Sequence, residues 1–125
     1  MSAAYGDIPI VLADYFDALH FSDTEKLRKV FHPRAIYATA DETPLLYRTM
    51  DDYIPVVAAR QSPASRGEVR RDAIDAIELA GEHTAFARVR CSLGSRDFVD
   101  FLTLVRVEGR WQIIAKIFQI VERES

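Results

Sequence analysis

Asp100-Phe101-Leu102-Thr103-Leu104-Val105-Arg106-Val107-Glu108-Gly109-Arg110-Trp111-Gln112-Ile113-Ile114-Ala115-Lys116-Ile117-Phe118 is the stretch that decides the fold. Two runs rich in β-branched, aliphatic and aromatic residues flank Glu108-Gly109, a pair suited to a tight hairpin turn. A two-residue loop there sets Val107 opposite Arg110, Thr103 opposite Ile114 and Phe101 opposite Lys116. One face then carries Val99, Phe101, Thr103, Val105, Ile114, Lys116 and Phe118. The other carries Phe98, Asp100, Leu102, Leu104, Trp111, Ile113, Ala115 and Ile117. Both faces are largely apolar. An antiparallel sheet with one wet face alternates apolar and polar residues, so both faces of this hairpin need cover.

Upstream, Glu68 to Leu79 and Thr84 to Ser92 read as two further strands, with Phe98 to Val107 and Trp111 to Val121 as the hairpin itself. Gly81 and Gly94-Ser95 supply turns, and such closely spaced strands pair antiparallel. The 93–97 turn admits two registers. A three-residue loop pairs Arg90 with Asp100. A two-residue loop at Gly94-Ser95 places Arg88 and Arg90 on the Thr103 face. The first is preferred, because it pairs opposite charges and keeps arginines off a covered face. Before these strands come helices. Val11, Leu12, Tyr15, Phe16 and Leu19 recur at helical spacing within about Ile8 to Phe21, with Asp7 as N-cap. Ser22-Asp23-Thr24-Glu25 reads as a capping box opening a short helix that ends before His32-Pro33. Ala35 to Thr39 and Leu45 to Arg48 form a short hairpin around Asp41-Glu42-Thr43-Pro44, and Thr49 or Asp51 caps a third helix to Arg60. Helices first and strands later define an α+β fold. Three helices cover one sheet face. A second copy is expected on the other, as a homodimer through Phe98, Leu102, Leu104, Trp111 and Ile113.

With 125 residues the chain is read as one domain, 1–125. Hydrophobic residues at 49% exclude disorder, and a net charge of −3 leaves no broad basic surface for nucleic acid. Apolar runs are too short to span a membrane. The lone Cys91 and a Met1-to-Asp7 start without basic residues lead to the expectation of a cytoplasmic protein. His20, His32 and His83 share no ligand spacing, so neither metal nor cofactor is expected.

Tyr15-Phe16-Asp17-Ala18-Leu19, Phe31-His32-Pro33-Arg34-Ala35, Asp100 to Leu104, Gly109 to Ile113 and Lys116-Ile117-Phe118 together resemble the nuclear transport factor 2-like superfamily. The resemblance runs from about Ile8 to Val121. It implies a cone-shaped, cystatin-like fold with three N-terminal helices on a curved, mostly antiparallel sheet. The chain looks most like a bacterial subgroup labelled lumazine-binding, close to SnoaL-like proteins. The superfamily includes isomerases, dehydratases, cyclases and proteins without a known reaction, and it dimerises through the outer sheet face. By resemblance to ketosteroid isomerase, the catalytic tyrosine falls at Tyr15. The general base falls at Thr39 and the neutral aspartate at Thr103. Threonine takes no proton near neutral pH, so the isomerase mechanism does not carry over.

Expected pocket residues are Tyr15, Leu19, Tyr37, Thr39, Tyr53, Val57, Phe101, Thr103, Ile114, Lys116 and Phe118. Lys116 on a covered face needs a carboxylate, a route to the rim or a wet cavity, and Asp41 or Glu42 are candidate partners. Tyr15, His32 and Asp41 are the candidate catalytic groups, with His32 alternatively closing the second helix. Asp100 is expected on the outer face, paired with Arg90 or Arg88, and Cys91 as an inert buried thiol. Arg70-Arg71-Asp72 reads as a solvated strand. Three functions follow: binding of an aromatic or anionic small molecule, an isomerase, dehydratase or cyclase acting on a carbonyl compound, or an interaction module with a filled pocket.

Overall fold

The structure, a computed structural model, describes residues 4–123. In chain order the elements are α1 (Ala4–Phe21), α2 (Thr24–Val30), β1 (Phe31–Thr39), β2 (Leu46–Thr49) and α3 (Met50–Ala59). A 3₁₀ turn (Ala64–Arg66) follows, then β3 (Ala73–Ala80), β4 (Thr84–Leu93), β5 (Arg96–Val107) and β6 (Arg110–Glu122). The strands make one six-stranded sheet in the order β2-β1-β6-β5-β4-β3, parallel only between β1 and β6. No described helix is long and apolar enough to cross a membrane.

Local chemistry accounts for most boundaries. Asp7 lies inside the first turn of α1, because the helix starts earlier than expected. Ser22 closes α1 at φ 50, with the Asp23 N–H returning to the Ala18 carbonyl at 2.9 Å. The N-cap of α2 therefore passes to Asp23, whose carboxylate accepts from the Lys26 N–H at 3.1 Å. Thr49 caps α3 by accepting from the Asp52 N–H. β1 begins at Phe31, directly after α2, so His32 belongs to a strand rather than to a helix end.

The β5–β6 hairpin turns at Glu108-Gly109 as expected, with φ of 52 and 76, and Val107 pairs with Arg110. Beyond the first few pairs the register departs from expectation. Leu104 pairs with Ile113, whereas Thr103 pairs with Ala115, so Ile114 is an extra residue in β6. This bulge shifts the alternation by one. Phe101 faces Ile117 across the strands, and Leu102 faces Lys116. The helix-covered face therefore carries Asp100, Leu102 and Leu104 from β5 with Trp111, Ile113, Lys116 and Phe118 from β6, all buried. Leu102, Leu104 and Ile113 pack with Ile8, Leu12 and Leu27 in the core.

Two expectations are corrected by this. Leu102, Leu104, Trp111 and Ile113, assigned above to an outer face, are core residues, and Phe98 packs against that core. Phe101 and Thr103, assigned to the pocket, lie on the outer face instead, where Phe101 is 49% exposed against Phe86 and Arg88. The 93–97 turn is also the form not preferred: Leu93 pairs with Arg96 and Arg90 with Val99. Gly94 at φ 62 suits the first central position of a two-residue hairpin, and turn geometry outweighs one cross-strand charge pair. Arg90 instead makes a bidentate contact with Asp75 at 2.8 and 2.9 Å.

The register makes an unequal pair of costs. Leu102→Ala should lower stability to urea by about 2–5 kcal/mol, the range for a fully buried leucine. Phe101→Ala should cost about 1 kcal/mol or less. The reverse order would contradict the bulge at Ile114.

Candidate functional site

Lys116 is brought to the covered face by the bulge, and there it is 5% exposed. An ammonium so far from water needs compensation. Asp100, reached from the neighbouring strand, places Oδ2 at 4.0 Å from Nζ. Tyr15 of α1, Tyr37 of β1, Tyr53 of α3 and Phe118 of β6 turn their rings toward Nζ, with centroids at 5.1, 5.3, 5.8 and 5.4 Å. The negative ring faces attract the cation. Tyr37 and Tyr53 stack at 4.3 Å, which holds two of these walls in place.

Asp100 is the centre of the hydrogen bonding. The Tyr15 hydroxyl donates to its Oδ2 at 2.6 Å and the Cys91 thiol donates to the same oxygen at 3.7 Å. Its Oδ1 is buried and has no partner among the described residues. Asp100 is wholly buried, so it is not the surface partner of Arg88 or Arg90 that the expected register made it. It shares its face with Leu102 and Leu104, and that aliphatic row was the signal that could have marked it as a buried carboxylate.

Charge states follow from this packing. Burial raises the Tyr15 hydroxyl pKa well above that of a free tyrosine, and the Asp100 carboxylate raises it further. Burial works against the Lys116 ammonium, but the Asp100 carboxylate acting together with Tyr53, Tyr37 and Cys91 outweighs it, so its pKa is raised. Burial and then Asp100 also raise the Cys91 thiol. Lys116 is thus a cation rather than a nucleophilic amine, and Cys91 a protonated thiol rather than a reactive thiolate.

A cleft opens from this cluster to the surface, with Lys116, Tyr37 and Tyr53 inside, Phe16 and Leu19 of α1 on one wall, and Cys91 and Phe98 on the other. Its cavity volume is about 40 Å³, and the free space including the open mouth is about 570 Å³. The mouth is lined by Arg60 and by residues 68–72, which precede β3 in irregular backbone. Arg70-Arg71-Asp72 is therefore part of the cleft rim and not a strand, with Arg70 bound to Asp17 at 2.7 Å and to Asp72. Nothing in the local pattern of Glu68 to Asp72 distinguishes a rim from a strand, which is why the sequence reading missed it.

Of the expected pocket residues, Leu19, Tyr37, Tyr53 and Lys116 line the cleft. Tyr15 and Phe118 stand behind it, in the shell around the ammonium. Thr39 is buried and structural, donating to the Phe118 carbonyl at 2.7 Å and accepting from the Asp41 N–H. Val57 is core, and Ile114 is the bulged residue. The expected acid–base candidates do not converge on Tyr15. His32 Nδ1 accepts from the Arg34 N–H, Asp41 accepts from the Ile120 N–H at 2.8 Å, and Glu42 pairs with Arg96 at 3.6 Å. Lys116 thus finds its carboxylate in Asp100 and not in Asp41 or Glu42. Among the described residues no three His, Cys, Asp or Glu side chains gather as metal ligands would.

The geometry has relatives. A family model described as "Putative lumazine-binding" matches residues 4–119. A nuclear transport factor 2-like protein of unknown function from Silicibacter pomeroyi superposes with a TM-score of 0.80 at 23% identity, covering 97% of this chain and 100% of that one. One from Shewanella baltica, also of unknown function, gives 0.81 at 25% identity, covering 94% of each chain. A ketosteroid isomerase-like protein from Erwinia carotovora atroseptica gives 0.72 at 12% identity, covering 92% of this chain and 94% of that one. No curated protein matches the chain.

The buried pair makes two predictions. Asp100→Leu or Lys116→Met alone should each cost about 3–5 kcal/mol in urea unfolding, because each strands a buried charge. The Asp100→Leu/Lys116→Met double variant should cost less than either single change, and additive losses would contradict the pairing. Alkaline pH should also destabilise the fold. Tyr15 and Lys116 have folded pKa values above their ordinary 10.0 and 10.5, and Cys91 above its ordinary 9.0. The folded state then holds protons that the unfolded chain releases. Their contribution is complete below about pH 9 and is lost as pH rises through the folded values. Circular dichroism across pH 7 to 12 should show this decline, smaller in Tyr15→Phe; a fold equally stable at both ends would contradict it.

Proposed function

We propose that this chain, which belongs to that lumazine-binding family, binds a small organic anion in the cleft. The acid group points at Lys116 between Tyr37 and Tyr53, and the apolar part lies against Phe98. One observation carries this reading. The Lys116 ammonium lines the cleft, yet its carboxylate partner stands at 4.0 Å, beyond hydrogen-bond distance. Its donors are held by ring faces and a longer-range charge, and a ligand oxygen would supply the acceptor they lack. The lining adds Arg60, whose Nε is buried without a partner, and Arg71. Aromatic walls with a few convergent polar groups are the usual make-up of a small-molecule site. The Tyr15 hydroxyl donates its hydrogen bond to Asp100 and stands behind the cleft, which favours binding over carbonyl chemistry.

A charge-assisted hydrogen bond contributes about 1.5–3 kcal/mol. Calorimetry should therefore show benzoate binding about 10- to 100-fold more tightly than benzamide. Lys116→Met, shown by circular dichroism to be folded, should remove that preference. Equal affinity for the two compounds, or binding of neither by the unaltered protein, would refute the reading.

For the outer sheet face we infer a second copy of this chain. Phe101, Ile117 and Val121 expose an apolar strip there, and Arg88, Arg90 and Asp75 put both signs of charge on the same surface. A two-fold axis can set such a surface against itself. Native mass at micromolar concentration should be that of a dimer and should halve in Phe101→Glu. A monomer in the unaltered protein would exclude it.

A further inference from the structure

The cleft does not end at its mouth. β3 begins at Ala73, which pairs near Arg90, so the last residues of β4, Cys91 to Leu93, have β5 on one side and no ladder on the other. At that gap lies a second, open groove of about 250 Å³, bounded by Arg71, Arg90, Ser92, Asp97, Phe98 and Val99. It shares Arg71, Cys91, Ser92 and Phe98 with the cleft, so the two spaces meet along these side chains.

Size decides what each lobe can take. A water needs roughly 10–15 Å³ of cavity by this measure. The inner lobe, at about 40 Å³, therefore accepts a headgroup of a few heavy atoms and no ring system. The outer groove has the room for a ligand's body. The charges in the groove are mostly spent. Arg90 is held by Asp75, and Asp97 accepts from the Ser92 hydroxyl at 2.6 Å and faces Arg123 at 3.5 Å. Arg71 is the cation bordering both lobes for which no described residue provides an ion pair.

Building on the anion-binding reading, we infer that the ligand is an elongated diacid. One acid group enters the inner lobe toward Lys116. The body leaves past Phe98 through the gap in the sheet edge, and the second acid group meets Arg71. A guanidinium offers a carboxylate two parallel donors, which suits the outer end of such a ligand.

Phenylacetate and para-phenylenediacetate separate the possibilities, measured by calorimetry on the full chain and on Arg71→Gln. The diacid should bind the unaltered protein about tenfold more tightly than the monoacid. Arg71→Gln should erase that advantage, bringing the diacid's affinity down to the monoacid's. The inference is overturned if the diacid has no advantage, or if the advantage survives in Arg71→Gln, while phenylacetate still binds through Lys116. Binding of neither acid to the unaltered protein would overturn the anion-binding reading and this inference with it.

Discussion

A lysine taken out of water must bring its counter-charge with it, and here a single extra residue decides whether it can. Ile114 stands alone between two paired stretches of β6. Without it, Lys116 and Asp100 would project from opposite faces of the sheet. With it they share the covered face, and the ammonium sits 4.0 Å from the carboxylate. The three helices are arranged around that pair. α1 contributes the Tyr15 hydroxyl, α3 the Tyr53 ring, and α2 the packing of Leu27 and Val30 that seats the others.

The pair shapes chemistry as well as packing. Asp100 accepts hydrogen bonds from the Tyr15 hydroxyl and the Cys91 thiol on the same oxygen, so both donors are spent inward. What remains turned toward the cleft is a cation among aromatic faces. Such a surface suits the acid group proposed for the ligand. The rim repeats the theme. Arg70 is committed to Asp17 and Asp72, whereas Arg60 and Arg71 border the open space.

Much of the architecture was legible in the chain. Helical spacing through Tyr15 and Leu19, the Thr49 cap, and the Glu108-Gly109 turn each rest on interactions within a few residues, and each was readable. Lys116 stood out because a lysine in an apolar row is costly anywhere. The misassigned features depend on contacts between distant segments. A bulge leaves no local mark in Ile113-Ile114-Ala115, so the alternation was carried straight through and reversed the faces. Asp100 was then placed on the outer face, Leu102 and Leu104 were given to a partner, and Phe101 was given to the pocket. At Gly94 a positive φ suits a two-residue turn, and that local geometry outweighs the Arg90–Asp100 charge pair that the cross-strand pattern suggests. Ser22-Asp23 failed in a smaller way, because Ser22 was needed to end α1 and could not also begin α2.

The central claim is that Lys116 remains a buried cation held by Asp100. Nuclear magnetic resonance of the lysine side-chain carbon and nitrogen nuclei, assigned through Lys116→Arg, tests it directly. The account predicts that the Lys116 signal keeps its ammonium shift through pH 10.5, the ordinary lysine value, until the fold itself is lost. A Lys116 that deprotonates at or below that pH in the folded protein would contradict it, since the carboxylate and the groups around it would then not be outweighing the cost of burial.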